Sequence, residues 1–475
     1  MVQAPNLARQ FKLNKTIKAW EVRIIWVSQT ENGYFVMQQF LKLSLLSVAV
    51  VGSQFTSAND FWSQDRQWLL GDWNGERKQL EDQGYKFTAA IMSQGATNID
   101  GGYNDSTTFK NAAQLTLGAN FDLSKTSGWD NTTAAIMITK RDGNALTLDR
   151  IKDPRSSALG NSQEIYGRGK IWRLTQAWVK KGSTDNTVQF KIGRMGMSDD
   201  FNSSQCEFQN LLLCGGQLGK SIGSIWYNWP VSLWGTNVKY QFTPEWSFGI
   251  GVYEVNPDNV KTQSDSDGFN LDMNNVKGAT IPLELAWKPK LAVFDELPGE
   301  YKIGGLYSTA KANDVKTVGK VHDGKHSFWV NAQQQLTQYN SDAKRGLFMS
   351  VNAVVNDKTT TMVQSTQQLA LWYKGVLDNR PNDSVGLGFA NYVVNERARD
   401  RQIEINQSNG YDQYNAWAAN YIPIQHDELN IELNYTYQWS PAIMLRPNIQ
   451  YIYQPAGVKE VDDAWVAGLT MRVNF

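Results

Sequence analysis

The chain has 475 residues with 46 basic and 46 acidic side chains, so its formal net charge is zero. This balance argues against a polyanion-binding protein, and we expect no nucleic-acid partner. The mean hydropathy is polar. A bundle of membrane helices is therefore excluded, because each helix needs an apolar run of about 20 residues. A membrane β-barrel is not excluded, because half of each barrel strand faces water.

One long apolar run stands near the N-terminus, in MQQFLKLSLLSVAVVGSQFTSAND. Lys42 precedes its apolar core and small residues follow it, which predicts a secretory signal peptide at 37–58, too short to span a bilayer. Because Met37 could be the initiator, we expect residues 1–36 to be an upstream mis-translated extension; a genuine N-terminal extension is the alternative. N-terminal sequencing of the mature protein should begin at Asn59.

The remaining chain alternates with a period of two. In AAQLTLGANFDLS the odd-numbered positions from 113 to 123 are apolar and the residues between them are mostly polar or small. This period predicts a strand with one apolar and one polar face. The same alternation recurs in WGTNVKYQF, WSFGIGVYE, IPLELAWK, GEYKIGGLYS, NIELNYTYQW, LRPNIQYIY and WVAGLTMRVNF. The first two of these are separated by a tight turn at Thr243, Pro244 and Glu245, which predicts a hairpin.

These strands have the properties of membrane strands. Their apolar faces carry no Asp, Glu, Lys or Arg, and aromatic residues cluster near their ends. Several run for nine or ten residues, which suffices for a tilted strand to cross a bilayer. A soluble sandwich also alternates, but a chain of this length would divide into domains. The pattern favours an all-β, transmembrane antiparallel β-barrel whose last strand pairs with its first.

Three stretches fit this pattern poorly. In IWRLTQAWVKK, alternation puts Trp172, Leu174, Gln176 and Trp178 on one face, where Gln176 is out of place for lipid. HSFWVNAQQQLTQY and residues 397–406 are also weakly patterned. Trp172 or Trp178 could be a stacking platform for a solute, although a tryptophan of the interfacial girdle is the alternative.

The chain has two cysteines, Cys206 and Cys214. An exported protein folds in an oxidising compartment, so we expect them to form a disulfide. Metal binding is the alternative, and it is disfavoured because no histidine lies nearby in the sequence. His322 and His326 have a spacing that could bind a metal on a helix, but VHDGKH is typical of a polar turn.

Six segments, in this order, resemble the carbohydrate-selective porins of the OprB type: GDWNGERKQLEDQGYKF, ITKRDGNAL, DFNSSQCEFQNLLLCG, LPGEYKIGGLY, GVLDNRPNDSVGLG and RPNIQYIYQPAG. The resemblance implies a Gram-negative outer-membrane barrel of about 16 strands at residues 85–475. It also implies a periplasmic segment with a short helix at 59–84, and loops folded inward to narrow the pore. Its expected function is passive diffusion of glucose-type sugars, and it favours a monomer.

Sugar passage requires groups that exchange hydrogen bonds with hydroxyls and still release the solute. Arginine suits this task because its planar group offers five donors. Our candidates for substrate binding are Arg141, Arg173, Arg194 and Arg446. We expect the carboxylates of Glu284 and Glu432 to balance their positive charge in the lumen. An ordinary loop or rim charge is the alternative for each arginine. We expect the Cys206–Cys214 loop to form the constriction; an external loop stapled against proteases is the alternative.

Four functions are compatible with the sequence, and each requires a different feature of the structure. The first is a sugar porin, and the second is a porin for polyhydroxy acids such as quinate or gluconate, which an excess of lumen arginine would favour. The third is an outer-membrane hydrolase, which needs a serine and a histidine within hydrogen-bond reach on the barrel exterior. The fourth is a plugged-barrel adhesin, which would not conduct. We expect no enzyme activity, no cofactor and no metal; the partners are small sugars or polyols and the lipid bilayer.

Overall fold

The computed structural model describes residues 62–475. The predicted extension at 1–36 and the predicted signal peptide at 37–58 lie outside the described residues. No helix between residues 62 and 475 has the length and apolarity required to cross a membrane.

Sixteen strands form one closed antiparallel barrel. The barrel strands are β1 Tyr85–Gly102, β2 Phe109–Asp122, β3 Thr132–Gly143, β4 Trp172–Gly182, β5 Val188–Met195, β6 Leu233–Gln241, β7 Trp246–Glu254, β8 Ala279–Trp287, β9 Gly299–Ser308, β12 Lys325–Gln335, β13 Gly346–Asn356, β14 Val363–Lys374, β15 Ser384–Val394, β16 Glu428–Ser440, β17 Ile443–Tyr453 and β18 Asp462–Asn474. Two further strands, β10 Ala312–Asn313 and β11 Val321–His322, form a small hairpin in the β9–β12 loop. The helices are α1 Glu76–Asp82, α2 Leu123–Ser127, α3 Leu218–Ser221 and α4 Glu396–Ser408.

The barrel closes where the sequence predicts. β18 pairs with β1 over a register that runs from Ala90 opposite Asn474 to Gly102 opposite Asp462. The predicted hairpin at residues 243–245 is also confirmed, because β6 and β7 pair around that turn. The prediction of about 16 strands and of a short helix before the first strand is confirmed as well.

The outward-facing residues form the apolar band that alternation predicts. Leu283, Ile303, Phe328 and Leu433 are among its exposed side chains. Aromatic residues pack together near the strand ends, as where the rings of Trp246 and Trp287 stack at 5.4 Å. This arrangement is typical of a barrel surrounded by lipid with an aromatic girdle.

The two ends of the barrel differ. At one end short turns connect the strands, such as residues 441–442 between β16 and β17. At the other end lie the long loops, including the β3–β4 loop (residues 144–171) and the β5–β6 loop (residues 196–232). In outer-membrane barrels short turns face the periplasm and long loops face outward. The N-terminal segment lies at the short-turn end, where the Leu69 amide donates to the Asn474 carbonyl at 2.8 Å.

The alternation predicted for β4 is wrong beyond Leu174. The register with β3 shifts there: Leu174 lies opposite Ile138, whereas Gln176 lies opposite Met137. A bulge of this kind adds one residue and moves the following side chains to the other face. Gln176 therefore faces the lumen, where its amide donates to Asp199 at 3.0 Å.

The weakly patterned stretch at 397–406 is helical, as part of α4 in the loop between β15 and β16. Its N-cap is Asn395, whose side chain accepts a hydrogen bond from the Arg397 amide. Polar residues dominate this helix, so the apolar periodicity that reveals most helices is absent. Arg397 ties it to the β9–β12 loop by donating to both oxygens of Asp314 at 2.9 and 3.0 Å.

Candidate pore constriction

The β5–β6 loop folds into the barrel and is anchored on opposite walls. Its Asn202 amide donates to Glu284 on β8 at 2.8 Å, and its Gln209 and Asn210 amides donate to Glu432 on β16 at 3.0 and 2.7 Å. β8 and β16 are widely separated in the strand order of the barrel. Both carboxylates thus hold the loop in place, and each also accepts a side-chain hydrogen bond from the wall, Glu284 from Trp329 and Glu432 from Asn434.

The disulfide lies in the part of this loop that projects into the lumen. Cys206 and Cys214 are bonded to each other, and the Gly215 amide donates to the Gln205 carbonyl at 3.1 Å beside them. The Lys220 ammonium donates to the carbonyls of Leu211 and Cys214. We refer to residues 205–215 as the disulfide hairpin.

The β3–β4 loop packs against the disulfide hairpin. The Glu164 amide donates to the Gln209 carbonyl at 2.9 Å, and the Gln163 side chain donates to the Gln94 carbonyl on β1 at 2.7 Å. A carboxylate oxygen of Glu164 lies within 4.8 Å of both cysteine sulfurs. Because the sulfurs are bonded to each other, they offer no thiolate to a metal ion. The two loops together narrow the lumen.

Arg141 is a strand arginine with donors left for a solute. Arg141 is 7 % exposed, and its Nε donates to the side-chain amide oxygen of Gln114 at 2.8 Å. Within residues 62–475 its two terminal nitrogens have no hydrogen-bond partner, and neither nitrogen is fully buried. The indole of Trp229, from the β5–β6 loop, donates to the same Gln114 oxygen at 3.2 Å. One amide therefore holds a guanidinium and an aromatic ring side by side.

Arg173 and Arg194 are committed to the scaffold. Arg173 donates to three loop carbonyls, those of Arg168, Asn259 and Lys261. Arg194 donates to Glu254, Asn259 and Ser232, and its side chain is 4 % exposed. In these positions the two guanidinium groups fasten the β3–β4, β5–β6 and β7–β8 connections to the wall. Their contact with a solute stays a prediction.

Arg446 lies nearer the short-turn end, on β17. Its Nε donates to Thr436 and its terminal Nη2 donates to Glu207 of the disulfide hairpin, both at 2.7 Å. It borders a cavity of about 240 Å³ beneath the hairpin.

Three charged loop residues complete the constriction, and alternation gave no sign of them. They are Glu164, Arg168 and Lys220. Burial raises the pKa of Glu164, and the positive charges of Arg141, Lys220 and Arg446 partly oppose that shift. Burial lowers the pKa of Lys220 to about 7, partly opposed by Glu164. Arg168 lies 5.2 Å over the ring of Tyr227 and is exposed.

Comparison with known proteins agrees with this architecture. The family model described as "Carbohydrate-selective porin, OprB family" matches residues 106–475. "Putative porin QuiX" of Acinetobacter baylyi is 82% identical over 439 residues, which cover 92% of this chain and 100% of that protein. Porin B of Pseudomonas aeruginosa is 44% identical over 445 residues, 91% of this chain and 96% of that protein.

Among solved structures, the high-pH structure of Pseudomonas putida OprB is similar with a TM-score of 0.84 and 43% sequence identity. That match covers 87% of this chain and 100% of the solved chain. Both the family and the fold are those of channels in the outer membrane. The chain belongs to the OprB family of carbohydrate-selective porins.

Proposed function

We propose that this porin conducts polyhydroxy monocarboxylates of the quinate type by passive diffusion, in preference to neutral hexoses. The observation that supports this most strongly is Arg141, whose two terminal nitrogens have no protein partner within residues 62–475. A guanidinium fork matches a carboxylate in a bidentate manner, and such charge-assisted pairs are stronger than neutral ones.

The surrounding charges point the same way. Near the hairpin, the basic groups of Arg141, Arg168 and Lys220 stand against the carboxylate of Glu164, while Glu207 of the hairpin is already paired with Arg446. Lys220 is only partly charged at neutral pH, since burial lowers its pKa to about 7. The local balance still favours an anion over a cation or a neutral solute, because electrostatic attraction is stronger in a confined lumen than in bulk water.

Trp229 suits the rest of such a solute. Its indole is held beside Arg141 by Gln114. A polyhydroxy ring has C–H faces that pack on an aromatic surface, while its hydroxyls exchange hydrogen bonds with neighbouring polar groups. We expect this binding to be weak enough for release of the solute. The name of the relative that is 82% identical, QuiX, hints at quinate.

A neutral sugar is the second candidate. It is favoured by the family description. A carboxylate such as that of Glu164 is also a suitable acceptor for the hydroxyls of a sugar. Sugar and acid differ by one charge, so they should respond differently to the loss of Arg141.

Single-channel conductance in a planar bilayer tests this proposal, with quinate and glucose titrated separately. We expect quinate to block the wild-type current at lower concentration than glucose. In Arg141→Met the apparent affinity for quinate should fall about tenfold or more, because a hydrogen bond to a charged group contributes about 1.5–3 kcal/mol. Arg141→Lys keeps the positive charge but loses the planar guanidinium group, so its affinity for quinate should lie between those of wild type and Arg141→Met.

Stronger block by glucose than by quinate, with equal losses for both solutes in Arg141→Met, would move the function to sugars. A current that neither solute changes would refute both selective functions.

A further inference from the structure

A cavity of about 240 Å³ lies on the short-turn side of the disulfide hairpin. Its walls are the hairpin itself and the ends of β1 and β14–β18, and Asn382 of the short β14–β15 turn borders it. Glu164 also borders it, which connects it to the constriction around Arg141. A solute that has passed Arg141 would therefore reach this cavity next.

Arg472, on β18, lines this cavity. Its register partners are Met92 on β1 and Met444 on β17, and both methionines line the same cavity. Within residues 62–475 its guanidinium makes no hydrogen bond or ion pair, and its Nε is buried without an acceptor. A buried guanidinium donor without an acceptor is costly, so a partner from outside the chain would be stabilised there.

The nearby charges are not free to supply that partner. Glu207 accepts a hydrogen bond from Arg446 at 2.7 Å. Lys374 adds a third basic side chain to the wall. With Arg446, Arg472 and Lys374 set against Glu164 and Glu207, the cavity has an excess of basic groups.

The rest of the lining mixes apolar and polar side chains. The apolar ones are Met92, Met444, Phe208 and Trp372, and Trp372 is supported by ring stacking on Phe348 at 5.6 Å. The polar ones are Gln94, Asn382, Ser384, Thr436, Gln438 and Thr470. Apolar faces and hydrogen-bonding groups next to the guanidinium of Arg472 fit a molecule with a carboxylate and hydroxyls on a carbon ring. They fit an inorganic anion less well, since it has no C–H surface for the apolar side chains, and they fit a neutral sugar less well because it leaves Arg472 without a charge partner.

We propose that Arg472 forms a second solute subsite, on the periplasmic side of the constriction, that binds the carboxylate of an alicyclic polyhydroxy acid. This inference rests on the proposed function and adds a second binding site to the same permeation path. The acid transfers from Arg141 to Arg472 and then leaves towards the periplasm. Two weak sites in series allow both selectivity and release.

The experiment is single-channel block of wild-type and variant porin, with quinate added to one compartment at a time. In Arg472→Met we expect the association rate from the periplasmic side to fall about tenfold, while block by glucose stays unchanged. The matched control is Lys239→Met, which also removes one basic group from the lumen but borders a different cavity. Its rates should stay within about twofold of wild type, a difference of about 0.4 kcal/mol.

A second variant leaves the guanidinium in place. Met92→Glu introduces a carboxylate directly across from Arg472. It should pair with Arg472 and reduce periplasmic block by quinate as Arg472→Met does. Heat-modifiable migration on a gel verifies that each barrel is folded.

If quinate blocks wild type but Arg472→Met and Met92→Glu behave as wild type does, the subsite is refuted and the proposed function stands. If Lys239→Met loses as much as Arg472→Met, a diffuse field and not a subsite is responsible, which also refutes it. If quinate does not block wild type from either side, the proposed function is refuted, and the subsite that rests on it is refuted as well.

Discussion

Replacing Glu432 with alanine should loosen the β5–β6 loop without opening the barrel. Glu432 is fully buried on β16, and it accepts the amides of Gln209 and Asn210 and the side chain of Asn434. Alanine leaves two backbone N–H groups of the hairpin without their acceptor. Each unsatisfied buried donor costs about 1–3 kcal/mol, so the docked loop should lose roughly 2–6 kcal/mol relative to an undocked one.

The barrel wall itself should tolerate this change, because its strands are joined by backbone hydrogen bonds that Glu432 does not make. Other contacts still hold the hairpin, including the hydrogen bond from Asn210 to Gln450 at 2.9 Å and that from Asn448 to Gln209 at 3.0 Å. The loop should therefore fluctuate between docked and undocked states and not leave the lumen permanently.

Single-channel recording measures this directly. We expect Glu432→Ala to raise open-channel noise and mean conductance, and Glu432→Gln, which keeps one acceptor oxygen, to lie between it and wild type. Glu428→Ala is the matched control: it removes a buried carboxylate from the same strand that bonds to Ala456 and Asn430, and it reaches the hairpin only through Asn430, which accepts a hydrogen bond from Asn210. Wild-type noise and conductance in Glu432→Ala, or equal changes in Glu428→Ala, would refute the anchoring role.

Two further predictions concern the constriction. Because Lys220 has a pKa of about 7, lowered from its usual value by burial, raising the pH from 6 to 8 removes most of its charge. Burial raises the pKa of Glu164, so the negative charge that Glu164 gains as the pH rises also opposes an anion. Affinity for quinate should thus fall about fivefold between pH 6 and pH 8, as expected for about 1 kcal/mol, and Lys220→Met should show a smaller fall in titrations of block. Replacing Cys206 and Cys214 by serine should cost the hairpin about 2–3 kcal/mol on the loop-closure model. Faster amide exchange at 205–215 with an unchanged barrel is the expected result, and exchange equal to that of wild type would contradict it.

The sequence was most informative where one rule, alternation, applies to every strand. A strand between lipid and water must alternate, so the faces around Leu283 or Leu433 could be predicted from spacing alone. The rule failed at Gln176 because a bulge in β4 changes the face, and a bulge leaves no signal beyond a polar residue out of place. That anomaly was visible in the sequence, and a register shift would have explained it.

The candidate site was less predictable because its chemistry depends on contacts between distant segments. Alternation could assign Arg141 and Arg173 to the polar face of a strand, but not reveal that one has free donors while the other is bonded to three loop carbonyls. Glu164 and Lys220 lie in loops, where no period applies. The only signal for them was that they lie close in sequence to a segment of the family-like pattern or to the cysteines. Such proximity does not specify a role.

The carboxylates and the arginines of the lumen have different roles, and this difference explains why one arginine keeps free donors for the solute. Glu284 accepts hydrogen bonds from the Asn202 amide and the Trp329 indole, and Glu432 accepts them from two hairpin amides and the Asn434 side chain. Within residues 62–475 neither carboxylate forms an ion pair with a guanidinium group, as Glu254 does with Arg194 at 3.3 Å. The protein acceptor of Arg141 is instead the neutral side chain of Gln114. An anchor built from acidic residues and backbone amides thus narrows the lumen, and the terminal donors of Arg141 remain available to an anion.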